Sequence, residues 1–71
     1  MTAAAVAITV NGDPEEVAAG TTVADLVARH LDSPKGVAVA RNEEVVPRST
    51  WPATVLADGD RVEILTAAQG G

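Results

Sequence analysis

The feature that most constrains the fold is a short alternating apolar segment that ends in a turn signal. Residues 6–10 place Val, Ile and Val on one side and Ala and Thr on the other, the two-residue period of a half-buried strand. Asn11-Gly12 follows at once, and this dipeptide favours a two-residue hairpin turn. Residues 15–19 are predicted to return as a second strand, with Pro14 at its start, where a missing N–H is tolerated.

A single amphipathic helix is predicted next. Thr22 is followed three residues later by Asp25, a pattern typical of a helix N-cap with an acidic first turn. Asp25 and Arg29 have the spacing of an ion pair on the outer face of this helix. Residues 33–36, Ser-Pro-Lys-Gly, end it. The predicted inner face consists of Val23, Leu26, Val27 and Leu31.

The middle of the chain predicts two short strands. Residues 37–40 have small apolar side chains on both faces, which indicates a strand in a central, covered position. Residues 41–44, Arg-Asn-Glu-Glu, form a polar turn. Val45-Val46 then starts another extended run, and Pro47 should confine it to a short edge strand.

The remaining segments complete an α+β architecture. Residues 48–57 have no clear period and are predicted to be a connection, while residues 58–60, Asp-Gly-Asp, form a turn. A last strand follows over residues 61–66. The order predicts a β-grasp (ubiquitin-like) domain over residues 1–66, with one main helix on a mixed sheet of four to five strands. Residues 67–71 are predicted to be a flexible tail.

Composition excludes several functions. The 71 residues suffice for one domain, and without cysteine the chain has no disulfide, thiolate metal site or thiol nucleophile. His30 is the sole histidine, so a zinc site or catalytic triad is poorly supported and we expect a non-enzyme without a bound metal or cofactor. A net charge of −5 disfavours nucleic acid. No apolar run approaches the roughly 20 residues of a membrane span, so a cytoplasmic protein is expected.

Gly70-Gly71 is the sharpest candidate for function. Glycines can enter a narrow cleft, and a terminal carboxylate is ionised at neutral pH. If its oxygen attacks the α-phosphate of ATP, the acyl-adenylate has a good leaving group, and a sulfur nucleophile can convert it to a thiocarboxylate. Residues 66–71 could reach about 20 Å when extended. The competing interpretation is a chain end without a function.

The sequence resembles the ThiS family of sulfur carriers along nearly its whole length. The glycine pair is shared with ubiquitin-like proteins generally. The segment 42–48, from Asn-Glu to Val-Pro-Arg, followed by Trp51, is what favours ThiS. The tail residues 66–69 and the alanine-rich start depart from that family. The matching residues are 10–12 (Val-Asn-Gly), 20–26 (Gly-Thr-Thr-Val-Ala-Asp-Leu), 37–48 (Val-Ala-Val-Ala-Arg-Asn-Glu-Glu-Val-Val-Pro-Arg), Trp51, 59–64 (Gly-Asp-Arg-Val-Glu-Ile) and Gly70-Gly71.

This resemblance implies both a fold and a set of partners. It implies a β-grasp domain whose Gly71 is adenylated by an E1-like, ThiF-type enzyme that uses ATP. It also implies that sulfur originates on cysteine, through a donor such as a cysteine desulfurase, and passes to a ThiG-type thiazole synthase. Two alternatives stay open: a carrier for molybdopterin or another cofactor, and a non-catalytic interaction domain. The absence of Phe and Tyr, with Trp51 after Val-Pro-Arg, argues against the molybdopterin carrier.

Five other positions or segments are weaker candidates. His30 is predicted to cap helix carbonyls or to interact with the helix dipole. Glu43-Glu44 and residues 58–60 are interpreted as ordinary turns rather than cation ligands. Lys35 is expected in a solvated turn. Trp51 is either an anchor for a partner or a cover over the Ala/Val core, and the sequence does not separate these two roles.

Overall fold

A computed structural model describes residues 4–66. They form five strands, one α-helix and one short 3₁₀ helix, and the longest helix has eight residues, far short of the roughly 20 that span a bilayer. The elements in chain order are β1 (Ala5–Val10), β2 (Asp13–Ala18), α1 (Val23–His30), β3 (Val37–Arg41), β4 (Glu44–Val46), the 3₁₀ helix (Arg48–Ala53) and β5 (Arg61–Thr66).

The strands form a mixed sheet in the order β2-β1-β5-β3-β4. β1 and β5 are parallel and the other neighbours are antiparallel. The predicted mixed sheet with one main helix is confirmed. The covered position predicted for β3 is wrong, because Ala38 is exposed and β5 occupies the centre. The small apolar side chains on both sides of β3 were interpreted as a sign that both of its faces are buried. One face of the sheet is in fact open to solvent.

Both hairpins turn through residues with positive φ. Asn11 (φ 51°) and Gly12 (φ 87°) connect β1 to β2, as the sequence predicted. Asn42 (φ 52°) and Glu43 (φ 71°) connect β3 to β4 in the same way, within the predicted polar turn. Two consecutive left-handed residues match the strand twist of a tight hairpin, and Asn adopts this conformation more readily than most side chains.

The capping box predicted at the start of α1 is present. The Thr22 hydroxyl accepts a hydrogen bond from the Asp25 N–H at 3.1 Å, and the Asp25 carboxylate accepts one from the Thr22 N–H at 3.1 Å. The predicted Asp25–Arg29 ion pair is wrong. Arg29 instead lies 3.6 Å from the carboxylate of Glu15 on β2, because the end of α1 packs beside that strand.

Alternating residues of the strands and one face of α1 make a single core. Leu31 lies at its margin rather than inside. The unassigned segment 48–57 contributes the 3₁₀ helix, which was not predicted because it contains a proline and has no helical period. The buried core residues are Ile8, Val10, Val17, Val23, Leu26, Val27, Val39, Val46, Trp51, Leu56, Val62 and Ile64.

Candidate functional site

The structure shows from where the predicted carrier tail leaves the domain. Gly70 and Gly71 fall within residues 67–71, outside the described residues. The described chain ends at Thr66, the last residue of β5, which pairs with Val37 of β3. β5 is the central strand of the sheet, and its last residues, from which the tail starts, pair with β3 alone.

An asparagine side chain clamps the end of this central strand. Asn11 Oδ1 accepts a hydrogen bond from the Ile64 N–H at 2.8 Å, and Asn11 Nδ2 donates one to the Ile64 carbonyl at 3.2 Å. The parallel β1–β5 pairing covers only two residue pairs, the last being Val10 with Val62. The Asn11 side chain therefore continues the ladder for the part of β5 that lies beyond β1.

A second asparagine holds the start of the same strand. Asn42 Oδ1 accepts from the Arg61 N–H at 2.9 Å, and the Asn42 N–H donates to the Arg61 carbonyl at 2.7 Å. The amide of Asn42 also donates to the buried carboxylate of Asp60 at 3.0 Å. Asp60 further accepts from the Ala57 N–H at 2.8 Å and lies 3.4 Å from the Arg41 guanidinium.

These two clamps were missed by the sequence interpretation, which treated both asparagines only as turn residues. A usable signal was present in the sequence, since each predicted turn contains an asparagine, and the amide of asparagine can pair with both groups of a peptide unit. The partner of each asparagine could not be predicted, because the strand that lies next to each turn depends on the order of the strands in the sheet. The partners Ile64 and Arg61 are 53 and 19 residues away.

The open face of the sheet carries a small apolar patch beside the tail. Leu65 is 60% exposed and pairs with Ala38, while Val45 is 76% exposed and pairs with Ala40. Glu63 lies two residues before Leu65 on β5, opposite Ala40. A carrier tail that starts at Thr66 therefore leaves next to apolar side chains with an acidic neighbour.

Trp51 covers the core. It is 4% exposed, and its indole N–H donates to the Val46 carbonyl at 2.9 Å. The guanidinium of Arg48 lies 5.8 Å from the ring centroid. Of the two roles left open by the sequence, the structure supports the cover over the core, and the ring also forms part of a groove lined by α1.

The weaker candidates have structural roles. His30 lies in the last turn of α1, but its Nε2 is 2.9 Å from the Glu15 carboxylate rather than against helix carbonyls. Lys35 is exposed in a turn, as predicted. The Asp58 carboxylate accepts from the Ala7 N–H at 2.8 Å, so this turn fastens β1. No cluster of potential metal ligands occurs between residues 4 and 66.

The fold and the tail position together define a class. A five-stranded mixed sheet, one helix on one face and a central strand that leads to a glycine pair are the features of a ubiquitin-like β-grasp protein. The family within this class is shown by a family model that matches most of the chain. The protein belongs to the ThiS family, whose model matches residues 8–71.

Relatives and solved structures agree with this assignment. The crystal structure of a thiamine biosynthesis protein (ThiS) from Geobacter metallireducens superimposes with a TM-score of 0.78 at 38% identity, covering 93% of this chain and 100% of that one. The sulfur carrier protein ThiS of Escherichia coli is 33% identical over 61 residues, which are 86% of this chain and 92% of the relative.

Two larger relatives match as well. A thiazole synthase of Magnetococcus marinus is 41% identical over 64 residues, and one of Paramagnetospirillum magneticum is 34% identical over 64 residues. Each match covers 90% of this chain and 20% of the synthase. The chain thus spans about one fifth of the length of these two enzymes.

Proposed function

We propose that this protein is a sulfur carrier of thiamin biosynthesis and that the Gly71 carboxylate carries the sulfur. The observation that supports this most directly is the ThiS family match, which extends through Gly70 and Gly71. The E. coli relative, 92% of which is covered, is itself a sulfur carrier. In this proposal the chain supplies the reactive carboxylate, and its partners supply the catalytic groups and the ATP site.

The carrier chemistry proceeds in two displacements. A carboxylate oxygen of Gly71 attacks the α-phosphate of ATP on an E1-like, ThiF-type enzyme, and pyrophosphate leaves. A cysteine desulfurase takes sulfur from cysteine as a persulfide, and a thiol reductant, itself oxidised to a disulfide, releases that sulfur as hydrosulfide. The hydrosulfide then attacks the acyl carbon and displaces AMP. The product is a thiocarboxylate on Gly71.

The proposed acceptor is a ThiG-type thiazole synthase. Two thiazole synthases contain a segment similar to nearly all of this chain. In those relatives a carrier-like segment and the synthase therefore belong to one polypeptide. Joining a carrier to its acceptor raises their effective concentration, which favours proteins that act on each other. This relationship favours the thiazole synthase over a molybdopterin enzyme and over a pure interaction domain.

The predicted division into a domain, residues 1–66, and a tail, residues 67–71, suggests how the proposal can be tested. One alanine added after Gly71 would move the carboxylate by about 3.3–3.6 Å and place a side chain in a passage suited to glycine. Attack on phosphorus needs the reacting atoms about 3–3.5 Å apart, so ATP–pyrophosphate exchange should be nearly abolished. The melting temperature should not change, because the buried core is formed by residues between Ile8 and Ile64.

The control carries the same alanine between Met1 and Thr2, far along the chain from the reactive group. It should exchange pyrophosphate at the parental rate. Normal exchange by the variant extended after Gly71 would show that this carboxylate does not react, and the proposal would be abandoned. In the intact protein purified from cells, replacement of one oxygen by one sulfur at Gly71 would support it.

A further inference from the structure

The turn between β1 and β2 contains a chemically labile side chain. Asn11 is followed by Gly12, and the chain has one other asparagine, Asn42. A glycine that follows asparagine has no Cβ atom, so its backbone nitrogen can attack the side-chain amide carbon without steric hindrance. The product is a five-membered succinimide ring, and the side-chain nitrogen leaves as ammonia. Residues 11–12 therefore have the composition of a spontaneous deamidation site.

The structure leaves the attacking group free. Gly12 has φ 87°, and apart from its chain neighbours no atom lies within 4 Å of the position that a Cβ atom would occupy there. Within residues 4–66, no backbone or side-chain oxygen accepts a hydrogen bond from the Gly12 N–H. Asn11 is exposed, so water and hydroxide reach the turn. The Gly12 nitrogen can lose its proton without breaking a hydrogen bond of the fold.

The clamp on Ile64 restrains the carbon that is attacked. Asn11 Oδ1 accepts from the Ile64 N–H at 2.8 Å, and Asn11 Nδ2 donates to the Ile64 carbonyl at 3.2 Å. The Gly12 nitrogen must approach Cγ from one side of the amide plane, and the tetrahedral centre that forms cannot keep both hydrogen bonds of the planar amide. In the folded protein the reaction therefore proceeds only when the clamp opens.

We infer that Asn11 is a spontaneous modification site and that its deamidation releases the end of β5. The Gly12 nitrogen loses its proton and bonds to Cγ of Asn11, and the Cγ–Nδ2 bond breaks as ammonia leaves with a proton. Water then opens the succinimide at one of its two carbonyl carbons, which gives aspartate or isoaspartate. Overall, one water is consumed and one ammonia is released. The inference does not depend on the proposed function.

Either product is incompatible with the clamp. In aspartate, a carboxylate oxygen replaces the Nδ2 donor, so two acceptors face each other where Asn11 now donates to the Ile64 carbonyl at 3.2 Å. In isoaspartate, the main chain runs through the side-chain carbon, which lengthens a two-residue turn and disturbs the pairing of Val10 with Asp13. The last β1–β5 pair is Val10 with Val62, so on this side of β5 the described structure gives Ile64 no strand that could replace Asn11.

Asn42 is an internal control in the same molecule. It begins the β3–β4 turn with φ 52°, and its Oδ1 also accepts from a backbone N–H of β5, that of Arg61. The next residue is Glu43, whose Cβ atom and carboxylate hinder ring formation. The two asparagines thus have similar turn positions and different following residues. A difference in their rates measures the effect of Gly12.

The rate is measured by mass spectrometry, since deamidation adds about one dalton. Trypsin gives one peptide that ends at Arg29 and contains Asn11, and a second, residues 42–48, that contains Asn42. Folded protein and protein unfolded in guanidinium chloride are incubated at the same mildly alkaline pH. In the unfolded chain, Asn11 should react at least about tenfold faster than Asn42.

Folding should slow the reaction at Asn11 without preventing it. The clamp has to open first, and the loss of one or two hydrogen bonds corresponds to about tenfold slower reaction than in the unfolded chain. After a time equal to ten half-lives of the unfolded chain, about half of Asn11 should therefore have reacted in the folded protein. Asn42 should remain almost unreacted in the same sample.

The consequence for β5 is measured on the deamidated protein, which anion exchange separates because it has one more negative charge. Hydrogen exchange at the Ile64 amide should be about tenfold faster than in the parent, and Asn11→Asp should show the same change. Lys35→Gln alters the net charge by the same amount in an exposed turn. It should leave the exchange rate at Ile64 within about twofold.

Three results would each overturn the inference. Equal rates at Asn11 and Asn42 in the unfolded chain would show that Gly12 does not direct the reaction. No product at Asn11 in the folded protein after ten half-lives of the unfolded chain would show that the native turn is not a site. Parental exchange at Ile64 after deamidation, or equal acceleration in Lys35→Gln, would show that the modification does not release β5. None of these results bears on the carrier chemistry at Gly71.

Discussion

Asn11 pairs with both backbone groups of Ile64, accepting from its N–H at 2.8 Å and donating to its carbonyl at 3.2 Å. A turn residue of the first hairpin thus completes the hydrogen bonding of the central strand two residues before the strand ends at Thr66. If Gly71 is the reactive residue, this contact holds the point from which its tail extends. The contact is also one of the longest in sequence separation, at 53 residues.

Replacement of Asn11 by glycine tests this clamp. Glycine tolerates the φ of 51° at this position, so the turn is retained while the side chain is removed. The Ile64 N–H and carbonyl lose their partner, and we expect the free energy of unfolding in urea to fall by about 1–3 kcal/mol. Hydrogen exchange at the Ile64 amide should accelerate.

Glu43→Gly is the matched control for that substitution. Glu43 has φ 71° in the other hairpin turn and is exposed, and its side chain makes only a 3.6 Å ion pair with Arg61. Relief of the positive φ should offset the loss of a surface ion pair, so stability should be unchanged or slightly higher. Equal losses for Asn11→Gly and Glu43→Gly would mean that the Asn11 side chain contributes nothing.

Two leucine substitutions test the position of the core. Leu26 is fully buried on α1, and Leu26→Ala should lower the free energy of unfolding by about 2–5 kcal/mol. Leu65 is 60% exposed on the open face, and Leu65→Ala should change it by no more than about 0.5 kcal/mol. Thermal and urea unfolding measure both. A Leu26→Ala variant as stable as the parent would show that α1 packs with a different face.

The capping box of α1 predicts a graded effect at Thr22. Thr22→Ala removes the hydroxyl that accepts from the Asp25 N–H, and the free energy of unfolding should fall by about 0.5–2 kcal/mol. Thr22→Ser retains the hydroxyl and should lose less. Urea unfolding of the three proteins checks the order, and a serine variant as unstable as the alanine variant would argue against the cap as the cause.

The acidic charge of the chain predicts salt-dependent association. With a net charge of −5, association with the proposed E1-like partner should be accelerated by long-range attraction if the partner docks through a basic surface. The association rate constant, measured by stopped-flow mixing, should fall as sodium chloride is raised to physiological ionic strength, where the Debye length is about 8 Å. A rate constant that does not depend on salt would count against steering by charge.

Local sequence signals predicted most elements of the fold. Asn11-Gly12 predicted the first hairpin, and Thr22 with Asp25 predicted the start of α1, because turns and caps depend on residues that are close in sequence. The 3₁₀ helix Arg48–Ala53 was not predicted. Its stability comes from the burial of Trp51 and the bond from its indole to Val46, which no local period reveals.

The sequence alone determined the class of fold, the ThiS resemblance and Gly71 as the candidate carrier residue, since each depends on residue types at fixed positions along the chain. The tertiary structure decided which strand is central, that Asn11 and Asn42 hold it, and that Trp51 joins the core beside the groove. These contacts link residues far apart in the chain. Their partners depend on the strand order and on the packing of α1, neither of which any short segment specifies.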